Sequence, residues 1–308
     1  MEQRRATPER AAGDSAAHQN GTIAGAGGDG RQPAETDEHP KPLGQETPEI
    51  VEDAARIGAK RLERSGLGDI VTSFIGGLSL CFGIIAMAWV AASLGGAEAP
   101  STAHLVGALA YPIGFVILLI GKSELFTENF LLPVTGVIER RGSVRQLLSL
   151  WGRSLVFNLL GTFVFAALIS RPGVLPETVA DEIRYLGEHV IGYGAGAAFM
   201  KALFAGWLMT ILTWLLLAAE GMGPRLFIIW LIGTMIVLGE FTHIIISGAE
   251  IFMAFFLGGE IDLVRWLSGS FFPILFGNVL GGVVFVTLLH YIQARYDGEE
   301  GEVEESAR

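Results

Sequence analysis

The sequence predicts an all-α membrane protein with six transmembrane helices, built as two inverted repeats of three spans with broken second and fifth helices. Hydrophobic residues form 51% of the 308 residues, and the mean hydropathy is positive, at +0.48. A soluble protein of this length with that average would need an implausibly large apolar core. Six long apolar runs account for the excess, at residues 70–92, 104–138, 146–169, 194–219, 225–257 and 270–293.

Each apolar run is long enough to cross a bilayer as a helix, which takes about 20 residues. Several runs are longer, which permits a tilted or interrupted helix. Transmembrane β-strands would alternate apolar and polar residues over about 10 positions, and these runs do not alternate. The runs therefore predict a helical bundle in the lipid bilayer.

Both ends of the chain are predicted to lie outside the bundle. Residues 1–48 are rich in Ala, Gly, Pro, Glu and Gln and lack the apolar segment of a signal peptide, so we expect a disordered tail. Residues 49–66 have the helical spacing and mixed charge of an amphipathic helix beside the membrane. Residues 67–294 form the six-helix domain, and residues 295–308 form an acidic, solvated tail.

Basic residues near the span ends predict the orientation, because loops rich in Lys and Arg stay in the cytoplasm. The loop between the first and second spans has neither residue type. The cytoplasmic set is Arg56, Lys60, Arg61, Arg64, Arg140, Arg141, Arg145, Arg225 and Arg295. Both termini are therefore expected in the cytoplasm, in agreement with an even number of spans.

The third and sixth apolar runs repeat one another at a spacing of 120 residues. Residues 155–168 read LVFNLLGTFVFAAL and residues 275–288 read LFGNVLGGVVFVTL, which pairs Asn158 with Asn278. An odd number of spans per copy inverts the second copy in the membrane, a recurrent plan of transporters. The two copies are expected at about residues 67–170 and 190–293.

A weaker match joins the second and fifth runs, where ELFT at residues 124–127 is aligned with EFTH at residues 240–243. Polar side chains interrupt both runs here, and we predict that the two interruptions meet at the middle of the membrane. Irregular backbone is tolerated there only where protein or a water-filled cavity satisfies it. Glycine accepts the dihedral angles of a helix break, which predicts breaks at Gly121, Gly239 and Gly248. The alternative is that these glycines only let helices pack closely.

Ionisable side chains inside apolar runs are costly and usually serve a function. His243 lies at the centre of the fifth run, and the alignment pairs it with Thr127. We expect the threonine hydroxyl to bond one ring nitrogen, while the other faces a pathway and gives a proton to an anion. A weak acid would then cross the apolar part as a neutral molecule. Lys201 and the N-termini of half-helices would attract the anion first. The alternative is a histidine that only packs.

Other kinds of site are not indicated. His243 and Glu250 lie two helical turns apart, which makes a poor chelate, so no metal is expected. The net charge of −11 comes mostly from the tails and leaves no basic patch for nucleic acid. The single cysteine, Cys81, excludes a disulfide within the chain. No cofactor fingerprint or complete catalytic constellation is present, so the protein is not expected to be an enzyme.

Four motifs in order resemble the formate/nitrite transporter family, in its divergent branch. The segment G-K-S-E-L-F-T at residues 121–127 is similar to the family's G-A-E/D-L-F-T. F-N-L-L-G at residues 157–161 and G-N-V-L-G-G-V-V-F-V at residues 277–286 are similar to its G-N-x-x-G repeats. G-x-x-x-H, ending at His243, resembles the motif of its central histidine. The resemblance covers about residues 68–293.

The resemblance implies an aquaporin-like protomer, a homopentamer with one pore per protomer, and a location in the inner membrane. It implies passage of formate, nitrite, hydrosulfide or a similar small monovalent anion, often together with protons. Carried over by motif, Leu125 and Phe126 form the constriction, and Thr127 and His243 form the central pair. The further residues expected along the pathway are Lys122, Glu124, Lys201, Thr210 and Glu240, and those expected to pack at the breaks are Asn158 and Asn278.

The chain departs from the family pattern in places that bear on selectivity. Residues 244–250 read IIISGAE where the family has S/V-x-A-N-M-F, and Thr210 stands where the family has an asparagine. Two alternatives to an anion pathway therefore remain. A pore for water or neutral solutes would ignore pH and survive His243→Asn, whereas a membrane scaffold or sensor would work through the tails.

Overall fold

The computed structural model describes residues 45–64, 66–96 and 100–306, apart from the side chains of Pro100 and residues 299–306. Every regular element in these ranges is a helix. The predicted disordered tail, residues 1–48, lies outside the described residues as far as residue 44. The prediction of an all-α membrane protein is confirmed. Among the described residues, five helical stretches are long and apolar enough to cross a membrane: Gly66–Ser93, Ser101–Ile120, Val144–Ile169, Ala195–Ala218 and Leu263–Gly298. The second and the fifth of these stretches consist of consecutive helices.

The helices follow one another with short connections. The first half contains α1 (Thr47–Glu63), α2 (Gly66–Ser93), α3 (Pro100–Ala110), α4 (Ile113–Ile120), a 3-10 helix (Phe126–Phe130), α5 (Leu132–Ile138) and α6 (Val144–Ile169). The second half contains α7 (Glu177–Ile191), α8 (Ala195–Ala218), α9 (Met222–Leu238), α10 (Ile244–Phe256), α11 (Leu263–Trp266), α12 (Phe272–Gly282) and α13 (Leu289–Ser306). Two π-helical stretches, Leu267–Phe271 and Val283–Leu288, join α11, α12 and α13.

The two terminal helices differ from the predicted boundaries. Helix α1 begins at Thr47 because Pro48 suits the first turn, where its missing N–H is not needed. It ends at Glu63, since Arg64 is extended. At the other end, the acidic segment predicted as a solvated tail continues α13 as far as Ser306.

Two opposite ends of the bundle can be distinguished along α2. Its 28 residues span about 42 Å at 1.5 Å per residue. Asp69, near the start that follows α1, accepts a 2.6 Å bond from Arg153 of α6. Met87, near the other end, lines a cavity with Leu186 of α7. We name these ends the α1 face and the α7 face.

Glycines let two pairs of helices approach until backbone touches backbone. A Cβ atom at Gly77 of α2 would lie 2.0 Å from the carbonyl oxygen of Asn158 in α6. A Cβ atom at Gly206 of α8 would lie 2.1 Å from the same atom of Asn278 in α12. The reciprocal approaches are made by Gly161 and Gly281. The halves of the chain thus repeat one packing arrangement, which small residues permit between membrane helices.

Helix α1 docks against the second apolar run through its basic residues. Arg64 Nη1 donates to Glu124 Oε2 at 2.9 Å, and Arg61 Nη1 donates to Asn129 Oδ1 at 3.0 Å. Arg61 Nη2 also lies 3.7 Å from Glu128 Oε2. Two buried carboxylates of the membrane domain therefore receive their compensating charge from Arg61 of α1 and from Arg64, the residue that follows the helix.

A second contact attaches α1 at its outer side. The Arg141 guanidinium binds both carboxylate oxygens of Glu52, at 2.8 and 2.5 Å. This hydrogen bond holds the pKa of the Glu52 carboxyl below its usual value. Because both groups are largely exposed, the pair positions α1 more than it stabilises the protein.

We expect Gly206→Ala to lower the thermal stability of the protein, because its Cβ would collide with the Asn278 carbonyl. Overpacking of this kind typically costs about 1–3 kcal/mol. Gly196 is the matched control, since it lies in the same helix with nothing within 4 Å of an added Cβ. Gly196→Ala should leave the melting temperature in detergent unchanged or slightly higher. Equal melting temperatures for the two variants would contradict this packing.

We expect Arg61→Gln to destabilise the attachment of α1, because Glu128 then loses the cation beside it. Breaking a buried pair in this way costs on the order of 3 kcal/mol. Lys60→Gln removes the same charge from the exposed neighbouring position and should have little effect. The measurements are thermal unfolding and hydrogen exchange of the α1 amides. Faster exchange in both variants alike would argue against a specific ion pair.

Candidate functional site

Helix α4 ends in a left-handed turn inside the second apolar run. Lys122 has a positive φ of 56°, and Ser123 N–H donates to Leu118 O at 3.0 Å. This is the closure of a Schellman-type helix end. The chain is extended at Leu125 before the 3-10 helix begins.

Helix α9 ends in the same way inside the fifth run. Glu240 has a positive φ of 49°, and Phe241 N–H donates to Ile236 O at 2.9 Å. His243 is extended and is the N-cap of α10. Both interruptions therefore use one backbone design.

Gly121 and Gly239 end helices α4 and α9, where breaks were predicted, whereas Gly248 does not lie at a break. Gly121 and Gly239 have ordinary helical φ values of −70° and −82°, and the residues after them carry the left-handed turn. Gly248 lies inside α10, where an added Cβ would meet Leu159 at 2.6 Å. Its smallness serves packing and not a break.

The predicted alignment of ELFT with EFTH is wrong by two residues. The equivalent left-handed positions are Lys122 and Glu240, so the counterpart of His243 is Leu125, which is also an N-cap. The predicted alignment matched identical residue types, whereas the left-handed residues Lys122 and Glu240 show which positions correspond in the structure. Thr127 is therefore not the counterpart of His243.

Asn158 of α6 holds the first interruption in place. Its Oδ1 accepts from Phe126 N–H at 2.8 Å. Its Nδ2 donates to Ser73 O at 2.6 Å and to Glu124 O at 2.9 Å. The side chain thus joins the interrupted segment to α2.

Asn278 of α12 does the same at the second interruption. Its Oδ1 accepts from Ile244 N–H at 2.8 Å. Its Nδ2 donates to Ala202 O at 2.7 Å and to Thr242 O at 3.0 Å. Both asparagines therefore lie at the interruptions, where the sequence placed them.

The two interruptions bring Thr127 and His243 together. Thr127 Oγ1 lies 2.8 Å from His243 Nε2, and both side chains are fully buried. Ile246 N–H lies 3.4 Å from Nδ1 and donates to it. Because a backbone N–H can only donate, Nδ1 is the acceptor, and the neutral ring carries its hydrogen on Nε2.

This geometry assigns the donors at the centre of the site. His243 Nε2–H donates to Thr127 Oγ1, which leaves the threonine O–H free to donate to a third group. The prediction that the second ring nitrogen faces a pathway is wrong for this conformation, since Nδ1 is occupied by Ile246. Of the polar hydrogens of this pair, only that of the Thr127 hydroxyl is left without an acceptor.

The predicted constriction residues lie beside this pair. Leu125 and Phe126 are both buried. The Phe126 ring packs edge-on against Phe130 at 5.0 Å and against Trp151 at 6.2 Å between centroids. The segment before Thr127 is therefore apolar and firmly packed.

Lys201 does not present a free charge. Its Nζ donates to Glu240 Oε2 at 3.0 Å, and the Tyr193 hydroxyl donates to the same oxygen at 2.9 Å. His189 Nε2 lies 3.6 Å from it. Glu240 and Lys201 thus compensate each other on the α7 side of the interruption.

Three predicted pathway residues are not brought to the central pair. Lys122 is exposed, and Glu124 turns toward Arg64 on the α1 face. Thr210 Oγ1 donates to Gly206 O at 2.8 Å, a contact within α8.

Sequence reasoning also missed two residues that bear on the site. It treated Arg61 and Arg64 only as signals of orientation, although they bind the polar residues of the interruption. Their spacing of three on an amphipathic helix was the available signal.

The sequence matches the family profile described as "Formate/nitrite transporter" over residues 48–292. It is 28% identical over 250 residues to "Inner membrane protein YfdC" of Escherichia coli (strain K12), covering 80% of this chain and 79% of that protein. It is 29% identical over 252 residues to "Probable formate transporter" of Methanothermobacter thermautotrophicus, covering 76% and 91%.

Solved structures show the same fold. One described as "FNT family ion channel" has a TM-score of 0.72 at 22% identity and covers 80% of this chain and 98% of that one. A second, "Pentameric formate channel with formate bound", has a TM-score of 0.62 at 18% identity and covers 74% and 96%. Because the family profile spans most of the sequence, this multi-pass membrane protein belongs to the formate/nitrite transporter family.

Proposed function

We propose that the protein is a channel or proton-coupled transporter for small monovalent anions and weak acids of the formate and nitrite type. The observation that carries the proposal is the hydrogen-bonded pair of Thr127 and His243, buried where two interrupted helices meet. Relatives named as a probable formate transporter and as "Nitrite transporter NirC" of Salmonella typhimurium, strain LT2, support this substrate class.

The central pair acts first as a hydrogen-bond donor to the anion. His243 donates to Thr127, and Thr127 donates onward to an anion oxygen, so the two bonds are aligned and strengthen each other. Stabilising a bare charge among Leu125, Phe126 and other apolar groups requires such donors. Giving up a proton requires an imidazolium, which forms only if Nδ1 releases Ile246 N–H.

The membrane arrangement that suits this role has six crossings in two inverted halves. Helices α9 and α10 together make the fifth crossing, because the 13 residues of α10 span only about 20 Å. The second crossing runs from α3 to α5. The α1 face lies in the cytoplasm together with both termini, in agreement with its arginines.

The proposal also includes a location in the inner membrane and a homopentamer with one pathway per protomer. The pentamer is suggested by the fold shared with the pentameric formate channel. The protein's partners are then the anion, protons and the lipid bilayer. Enzymatic activity is not proposed, since the probable formate transporter, the nitrite transporter and the two solved channels carry names of transport proteins. Those names likewise favour transport over the scaffold and neutral-pore alternatives.

Flux into proteoliposomes tests the proposal. We expect pH-dependent uptake of at least one of formate, nitrite, hydrosulfide, acetate and lactate by the purified oligomer. In His243→Asn the amide keeps a hydrogen bond but no longer titrates, so the pH dependence should weaken while the protein stays folded. A folded wild-type oligomer that passes none of these anions would refute the function. Flux unchanged in His243→Asn would favour the neutral pore.

Replacing Thr127 separates hydrogen bonding from packing. Thr127→Val keeps the shape but removes the hydroxyl, and a hydrogen bond to a charged group is worth about 1.5–3 kcal/mol. We therefore expect anion flux to fall roughly tenfold or more. Thr127→Ser keeps the hydroxyl and should retain most of the flux. Similar rates in the valine and serine variants would show that the hydroxyl does not contact the anion.

A further inference from the structure

A cavity on the α7 face leads toward the central histidine. It has a volume of about 90 Å³ and is lined by Thr242, Ser247 and Glu250, among others. A neighbouring cavity of about 440 Å³ shares part of this lining, including His104 and Glu240. A water molecule needs about 10–15 Å³ of such space, so the smaller cavity has room for several.

The lining of the cavity includes residues on both sides of His243 in the sequence. Thr242 directly precedes the histidine, and Ser247 and Glu250 follow it on α10 at intervals of four and seven residues. Residues at these intervals share one face of a helix. The cavity therefore connects the α7 face with the side of α10 that also carries the central imidazole.

Glu250 has no partner in the cavity. Within the described part of the chain, no hydrogen bond or ion pair reaches its carboxyl group. Among the basic groups on this side, Lys201 and His189 lie 3.0 and 3.6 Å from Glu240, and His104 lines the cavity without an ion pair to Glu250. An ionised carboxylate is expensive in this setting, and a bound proton removes the cost.

A second buried group also indicates a polar guest. The hydroxyl of Tyr111 is fully buried and lacks a hydrogen-bond partner among the residues described. Buried hydroxyls are rarely left without one. Since Tyr111 lines the same cavity, water or a small polar ligand is the partner that fits.

We propose that Glu250 is a proton-loading carboxyl for anions that enter from the α7 face, an inference that rests on the proposed function. The carboxylate takes a proton from hydronium in the cavity, releasing water. An O–H bond then breaks on Glu250 and forms on the anion, either directly or through water and Ser247. From this face the neutral acid moves on to Thr127 and His243, whereas an anion that enters from the α1 face meets Thr127 while still charged. The Glu250 carboxylate is left for the next proton.

This role gives the two faces different behaviour. An ionised Glu250 repels anions from the cavity, whereas a protonated one admits and neutralises them. Flux from the α7 side should therefore rise as the pH on that side falls, and acidifying the α1 side should not have this effect. The other titratable groups that line the cavity are His104, Tyr111, Tyr185, His189, Tyr193 and Glu240.

The test is formate flux in proteoliposomes of known orientation, with the pH varied on one side at a time. Bulk formic acid also increases on acidification, so the measured quantity is the ratio of wild-type to Glu250→Gln flux. We expect this ratio to rise as the α7 side is acidified, by at most about tenfold per pH unit. It should stay constant when only the α1 side is acidified.

Glu260→Gln is the matched control, because Glu260 is an exposed acid on the same face and does not line the cavity. It should behave as the wild type. A constant ratio on the α7 side, or an equal change from both sides, would overturn the role of Glu250. A wild type without any flux would instead refute the proposed function.

Infrared spectroscopy measures the protonation of the Glu250 carboxyl group independently of transport. The difference spectrum between acidic and neutral buffer should contain a protonated-carboxyl band that Glu250→Gln lacks and Glu260→Gln retains. If that band is absent from the wild type, the inference fails. Inhibition by methylammonium or sodium at constant pH, lost in Glu250→Gln, would assign Glu250 to a cation site and also overturn it.

Discussion

Polar backbone groups inside a bilayer need partners within the protein, and Asn158 and Asn278 supply them where the helices stop. Each amide accepts one backbone N–H and donates to two carbonyl groups. One carbonyl belongs to the interrupted segment and the other to a neighbouring helix, α2 or α8. The amides reach both only because glycines bring those helices into backbone contact with α6 and α12. The interruptions, the glycines and the asparagines therefore form one interdependent arrangement in each half.

Much of this fold could be predicted from the sequence, because the requirement for apolar surface and for packing leaves a strong pattern. The apolar runs predicted a helical membrane protein, and Asn158 and Asn278 stood out in the repeat. The register of the interruptions could not be predicted. Left-handed backbone usually selects glycine, but here Lys122 and Glu240 adopt it. The sequence alignment therefore paired Glu124 with Glu240 because the residue types are identical. The dihedral angles, which the sequence does not reveal, instead pair Lys122 with Glu240.

The candidate site could likewise be predicted from the sequence only in part. Thr127 and His243 were expected to meet, and they do, although as residues at different positions of their segments. Two segments related by a symmetry axis can touch through residues at non-equivalent positions. The contact between Thr127 and His243 could therefore be predicted from the sequence, although the two residues are not counterparts. Arg64 binds an acid 60 residues away in the sequence. Nothing local marks that partner, because an amphipathic helix with spaced arginines is also typical of a solvated surface.

The backbones of the two interruptions are equivalent, but the side chains at equivalent positions differ. The counterpart of the His243 position is Leu125, and that of Thr127 is Ile245, so one pair of residues is hydrogen-bonded and the equivalent pair is hydrocarbon. All four side chains are fully buried. A side chain with a free hydrogen-bond donor is therefore present in only one of the two pairs. Access from the two faces therefore differs chemically, since an acidic cavity adjoins one interruption while arginines of α1 bind the acids of the other. An inverted backbone does not by itself imply equal transport in both directions.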